Sequence, residues 1–149
     1  MPSLLEQIGS GDQRKSVIDD ACQVLDQEVS DKGGLSGLAI KGAYKVVQGI
    51  RPGFIRETVD HLLDDFLSAV DPVYQEASEK KLKAGPYLEQ NSSRVADALL
   101  AVTDKRAARA QSKVVKSAYE KLRPMAKKQV ESATPRLSKL LEKHAAPTG

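Results

Sequence analysis

The chain has 149 residues, of which 40% are hydrophobic, 29% charged and 4% aromatic, with no Trp and a formal net charge of +3. That length suits one domain with a real core, and the composition excludes disorder throughout and a membrane bundle. So few aromatics argue against a β-sandwich or a base-stacking platform, and a single cysteine excludes an internal disulfide and a thiolate zinc cage.

In chain order, residues Met1 to Lys15 carry charges and a Gly-Ser-Gly but no apolar run of signal-peptide length. Asp12 is placed to cap a helix running to about Val29. Its inward stripe is Val17, Ile18, Ala21, Cys22, Leu25 and Val29, at steps of three and four. On that stripe Cys22 reads as a small buried hydrophobe rather than a reactive thiol. Asp31-Lys32-Gly33-Gly34 interrupts the pattern. Ser36 is placed to cap a second helix to about Gln48, with Ile40, Ala43, Tyr44 and Val47 on one face, and Arg51-Pro52-Gly53 makes a turn.

A third helix is predicted from Gly53 or Phe54 to Val70. Val59, Leu62, Leu63, Phe66 and Val70 face inward, while Glu57, Asp60, Asp64 and Asp65 face water. Asp71-Pro72 reads as a cap and first position of another helix ending near Leu82, and Lys83 to Pro86 as a loop. A further helix covers Ser92 to Val102, with Val95, Leu99 and Val102 as its stripe. No alternating β pattern of useful length occurs. The expectation is all-α: a compact bundle of five to six helices with a basic amphipathic C-terminal helical arm.

The net charge conceals a division. Residues 1–104 carry 11 basic and 17 acidic side chains, a net of −6, whereas residues 105–149 carry 12 basic and 3 acidic ones, a net of +9. An acidic helical body (1–104) and a basic amphipathic arm (105–149) are thus expected, either as one domain or with the arm detachable. From Lys113 the arm can be written in three rows of eleven: KVVKSAYEKLR, PMAKKQVESAT and PRLSKLLEKHA. Eleven residues are almost three helical turns, so each column returns to nearly the same face.

The resulting seam is Val115, Tyr119, Leu122, Ala126, Val130, Ala133, Leu137, Leu141 and His144. Such columns arise in any amphipathic helix. They also resemble, in pattern only, the apolipoprotein type of surface binder, in which prolines punctuate 11-residue units. Pro135 after Thr134 predicts a break, and Pro124 after Arg123 a kink. The seam is suited either to packing on the acidic body, whose carboxylates would meet the lysines, or to lying on an anionic surface.

Residues Lys32 to Arg56 hold five basic side chains, no acidic one and six glycines. Gly42, inside a predicted helix, calls for a reason, since glycine there costs about 1 kcal/mol relative to alanine. Close approach of another backbone is one reason and a ligand against the helix is another. Gly37 to Gly42 has the GxxxxG spacing of a phosphate loop, but Ala43-Tyr44 stand where Lys and Ser or Thr are needed. The block DKGGLSGLAIKGAYKVVQGIRPGFI (31–55) resembles a family of short, uncharacterised bacterial proteins sharing an LSGLAIKGAYK-like segment before a Lys/Arg-Pro-Gly turn. That resemblance implies a bacterial cytosolic source and a helical domain, and carries no activity or residue role with it.

Little points to an enzyme. His61 lies among Asp60, Asp64 and Asp65 on one helical face, His144 lies in the frayed end, and neither has a second His near it in sequence. Metal sites commonly need three or four protein ligands, and no GxSxG elbow is present. No catalytic residue, metal or cofactor is expected.

The expected function is non-enzymatic binding or scaffolding in the cytoplasm or at a membrane periphery. Its ligand is a protein partner or an anionic lipid surface, with pairing to a second copy of the chain also open. The expected anion-binding residues are Lys113, Lys116, Lys121, Lys127, Lys128 and Lys139, with Lys41, Lys45 and Arg51. The apolar seam is led by Val115, Tyr119, Leu122, Val130, Leu137 and Leu141. The alternative is sequence-independent nucleic-acid binding through phosphate contacts. A small enzyme or apolar-ligand carrier, marked by a pocket beside Gly37, Gly42 and Tyr44, is the third reading.

Overall fold

A computed structural model describes the whole chain, Met1 to Gly149, as seven α-helices and no strands. They are α1 (Leu4–Ile8), α2 (Gly11–Asp31), α3 (Gly34–Gln48), α4 (Phe54–Glu79), α5 (Ala84–Gln90), α6 (Ser92–Ala108) and α7 (Lys113–His144). The long helices α2, α4, α6 and α7 form a closed ring in which each packs on the next, α7 returning to α2. Cross-links between side chains fix the directions. Arg14 bonds Asp60 and Asp64 while Arg56 bonds Asp19, so α2 and α4 run antiparallel. Glu76 with Arg94, and the His61 carbonyl with Arg106, make α4 and α6 antiparallel. Asp97 with Lys127 and Asp104 with Arg123 do the same for α6 and α7, as do Asp20 with Lys143 and Asp31 with Arg136 for α2 and α7.

The result is an up-down-up-down bundle with α3 and α5 inserted in its first two connections. Its core joins Leu4, Ile8, Val17, Ile18, Leu63, Leu67, Val73, Tyr74, Leu88, Val95 and Leu141, so α1 and α7 both close on the same apolar centre.

The all-α expectation holds, while several boundaries differ. Ser10, not Asp12, stands at the N-cap of α2, and Asp12 lies in the first turn, where its negative charge suits the helix dipole. Gly33 rather than Ser36 precedes α3. The helix α1 went unpredicted although Ser3-Leu-Leu-Glu6 is a capping-box pattern. The Ser3 hydroxyl accepts the Glu6 N–H at 3.1 Å.

Asp71-Pro72 does not divide two helices, because α4 runs through it to Glu79. The Asp71 carboxylate instead accepts the Leu4 N–H at 2.9 Å, capping α1 across the bundle. The predicted loop at Lys83 to Pro86 opens the short helix α5, with Pro86 in its first turn, where an amide N–H would lack a partner anyway. On α6 the buried residues are Val95, Ala96 and Leu100 rather than the predicted stripe as a whole.

The predicted break at Pro135 is likewise absent. α7 is one 32-residue helix containing Pro124 and Pro135. The three prolines beyond a first turn, Pro72, Pro124 and Pro135, lie on exposed positions. There the carbonyl that each leaves without an amide donor can be hydrated, and a helix curving around its core can carry the ring on its outer side.

Candidate functional site

Helix α7 carries nine basic side chains besides His144, and the fold sorts them into two sets. Arg123, Lys127, Arg136 and Lys143 make ion pairs with Asp104, Asp97, Glu28 with Asp31, and Asp20, respectively. Lys113, Lys116, Lys121, Lys128 and Lys139 are exposed and have no carboxylate within salt-bridge distance. Residues 121, 128 and 139 are spaced by 7 and 11, which places these three lysines on one line along the helix. Among the predicted anion-binding residues, Lys127 and Arg51 are therefore engaged within the molecule. Arg51 bonds Glu57 at 2.7 Å and lies over the Phe54 ring at 4.9 Å. Lys41 and Lys45 on α3 are exposed and free of ion pairs.

The seam faces the body. Leu141 is buried and Val115, Tyr119, Leu122, Val130 and Leu137 are half-buried, with α7 packed on α2, α3, α5 and α6. The buried line continues through polar residues that the apolar pattern did not flag. The Ser138 hydroxyl donates to the Gly85 carbonyl at 3.0 Å, and the Thr134 hydroxyl to the Val130 carbonyl at 3.1 Å. Small hydroxyls satisfied by backbone allow the close approach of α5 to α7 without an unpaired buried atom. The Tyr119 hydroxyl donates to Asp104 and shares a hydrogen bond with Thr103; burial, and then the Asp104 carboxylate, push its pKa up.

His144 does not lie in a frayed end. Its Nε2 is 2.6 Å from Asp20 Oδ2 and its Nδ1 3.0 Å from Gln13 Nε2. Lys143 and then His144 hold the Asp20 carboxyl below its ordinary range. His61 is exposed, and no three His, Cys, Asp or Glu side chains converge as a metal-ligand set. Cys22 packs on the core, and burial pushes its thiol pKa up, in keeping with a structural role.

The glycine-rich helix α3 differs from expectation in which glycine is crowded. A Cβ at Gly37 would lie 2.7 Å from the backbone of Lys32, whereas at Gly42 it would meet nothing within 4 Å. Close approach therefore explains Gly37, and Gly42 stands on an open face. Tyr44 is turned inward and donates to Asp26; desolvation, then Asp26, raise its pKa.

Two surface clefts lie away from this segment. One, of about 220 Å³, runs between α2 and α7 beside Arg136 and Lys143. The other, of about 420 Å³, runs between α4 and α6 over Ser68, Ala69, Ala98 and Ala101 and ends at Lys105, Arg106 and Arg109. No helix is long and apolar enough to cross a membrane.

No curated protein and no solved structure matches the chain. The family model of DUF6918, a family of unknown function, matches residues 4–145, and the chain belongs to that family.

Proposed function

We propose that this member of the DUF6918 family is a non-enzymatic binding or scaffolding protein of the cytoplasm. Its contacts are made by the unpaired lysine face of α7, and its ligand is an anionic protein partner or lipid surface. The observation that supports this reading is the division of the α7 cations. Four are neutralised along α2 and α6, while Lys113, Lys116, Lys121, Lys128 and Lys139 are left to solvent. α7 also carries Glu120, Glu131 and Glu142, which are likewise unpaired, so five lysines less three carboxylates leave a net of +2, and net positive charge on an ordered helix draws anionic ligands at moderate salt. The apolar seam serves packing in this reading, and recognition is electrostatic.

The test uses the full chain and a variant with these five lysines changed to Gln. The probes are phosphatidylserine-containing vesicles, poly-glutamate and a mixed-sequence DNA duplex, each across a salt series. Binding by the full chain to vesicles or poly-glutamate, weakened at least tenfold in the variant, is the expected result. Equal binding by both proteins, or none to any probe at low salt, refutes the reading.

Sequence-independent nucleic-acid binding is the second reading. It is favoured by a different set of cations: Lys105, Arg106 and Arg109, which lack ion pairs and stand together at one end of the α4–α6 cleft, close in sequence to Lys113 and Lys116. It predicts a steep, sequence-independent fall of duplex affinity with salt, and little affinity for poly-glutamate.

A further inference from the structure

Helix α3 has an apolar inner face and, unusually, an apolar outer face. Inward it presents Gly37 and Ala43, with Ile40, Tyr44 and Val47 half-buried. Outward it presents Leu35, 86% exposed, Leu38, 69% exposed, and Val46, 55% exposed. Their spacing, with Gly42 between them, puts all four on one stripe of about 80°. Lys41 and Lys45 both lie along the same edge of the stripe and have no ion-pair partner, and α3 contains no acidic residue. A helix apolar on both faces normally has something on each of them.

We infer that the outer face of α3 is a membrane-surface element: Leu35, Leu38 and Val46 enter the interface of an anionic bilayer while Lys41 and Lys45 meet its phosphates. The inference rests on the anionic-surface reading above and names the ligand as lipid. Two physical arguments favour a bilayer over a protein or a second copy. The first is area. A 15-residue helix is about 22 Å long and its exposed stripe about 10 Å wide, on the order of 200 Å². A stable protein interface buries roughly 800 Å² per partner. Interfacial lipid binding needs only a few inserted apolar side chains with basic neighbours. The second is charge. Lysines beside the stripe complement a layer of phosphates, and near an anionic leaflet each adds to the attraction. Gly42 also leaves the middle of the stripe low, so that Leu38 and Val46 project beyond the helix backbone beside it.

The absence of Trp from the chain makes the test direct, since Leu38→Trp introduces a single fluorophore. The full-length Leu38→Trp protein is mixed with vesicles of phosphatidylcholine, with and without phosphatidylserine and with brominated acyl chains. In parallel, the unlabelled chain, a Leu35→Ser, Leu38→Ser, Val46→Ser variant and the five-lysine α7 variant are assayed by vesicle flotation. The expected result is a blue shift and bromine quenching with anionic vesicles only, and at least a tenfold loss of partitioning in the triple variant. The triple variant should keep its helical signal and melting midpoint, because all three positions face solvent.

Flotation without any shift or quenching at position 38 overturns the inference while leaving electrostatic binding by α7 standing. Loss of binding in the five-lysine variant with full binding in the triple variant overturns it in the same way. A blue shift already present without lipid, in a protein that sediments as a dimer, assigns the face to a second copy and overturns it. Absence of flotation by the wild-type chain in low salt overturns it outright.

Discussion

Tyr74 ties three distant segments together and has no exposed surface. Its hydroxyl donates to the Ala146 carbonyl at 2.7 Å and accepts from Gln7 Nε2 at 3.1 Å, while Gln7 in turn accepts the Ala146 N–H. Removing the hydroxyl leaves a carbonyl and an amide short of a partner. Tyr74→Phe is therefore expected to lower stability by about 1–2 kcal/mol. Hydrogen exchange at residues 145–149 should rise more than at the bundle core, and equal acceleration everywhere would show that the tyrosine is not what holds this strap.

Glu76 gives a pH signature. Arg94, then the Tyr87 hydroxyl, lower its pKa to about 2. The unfolded chain takes up that proton near the ordinary Glu value of about 4.3, so below it the unfolded state binds more protons than the folded one. The contribution is complete above that value and is lost as pH falls towards about 2. Urea midpoints should therefore fall less between about pH 6 and about pH 3 in Arg94→Met than in the wild type.

At the scale of elements, α3 separates two glycines that look alike in sequence. Gly37→Ala forces a methyl against the Lys32 backbone, so the crowding, about 1–3 kcal/mol, outweighs the gain in helix propensity. Gly42→Ala meets no neighbour and is expected to raise stability by about 1 kcal/mol. Opposite signs in thermal melts are the diagnostic result, and a destabilising Gly42→Ala would contradict the open face on which the lipid inference rests.

The continuity of α7 is tested at Pro135. In an uninterrupted helix, Pro135→Ala supplies an N–H to the Glu131 carbonyl and should stabilise by about 1–2 kcal/mol, part of the intrinsic proline penalty being offset by the freer unfolded chain. A helix broken at Thr134 would gain nothing. The periodicity of 113–145 was legible without any structure, but whether its prolines break the helix was not. Helix propensity is local, whereas Leu141 and Ser138 hold α7 in place through partners on other helices.

For the molecule as a whole, the closed ring makes α7 a wall of the core rather than an appendage. It packs on four other helices and contributes Leu141 to the central cluster. The charge boundary at residue 104 falls inside α6, whose helix continues to Ala108. Removing α7 exposes one side of α2, α5 and α6 and leaves Asp20, Asp31, Asp97 and Asp104 without their cations. A 1–112 fragment should lack a cooperative melt and should bind a hydrophobic dye. A sharp two-state transition in that fragment would mean that the arm is separable after all. The exposed ion pairs contribute little individually, so the loss comes mainly from apolar burial, about 1.5–3 kcal/mol per large side chain.

Sequence alone determined the helical character, the interruptions before α3 and at Arg51-Pro52-Gly53, the inward stripes of α2 and α4 and the −6 and +9 division. All of these follow from local propensity, the 3.6-residue period and the identity of charged side chains. Tertiary structure alone decided which way the seam of α7 faces, which lysines are neutralised and which are left over, and that Pro72 and Pro135 lie within helices. Each of those outcomes depends on residues far apart in the chain. Asp71 caps α1 across 67 positions, and Arg136 finds Asp31 across 105. Of the twelve cations in the basic part, four meet carboxylates of the acidic part across the bundle, while five lysines of α7, together with Lys105, Arg106 and Arg109, make no ion pair.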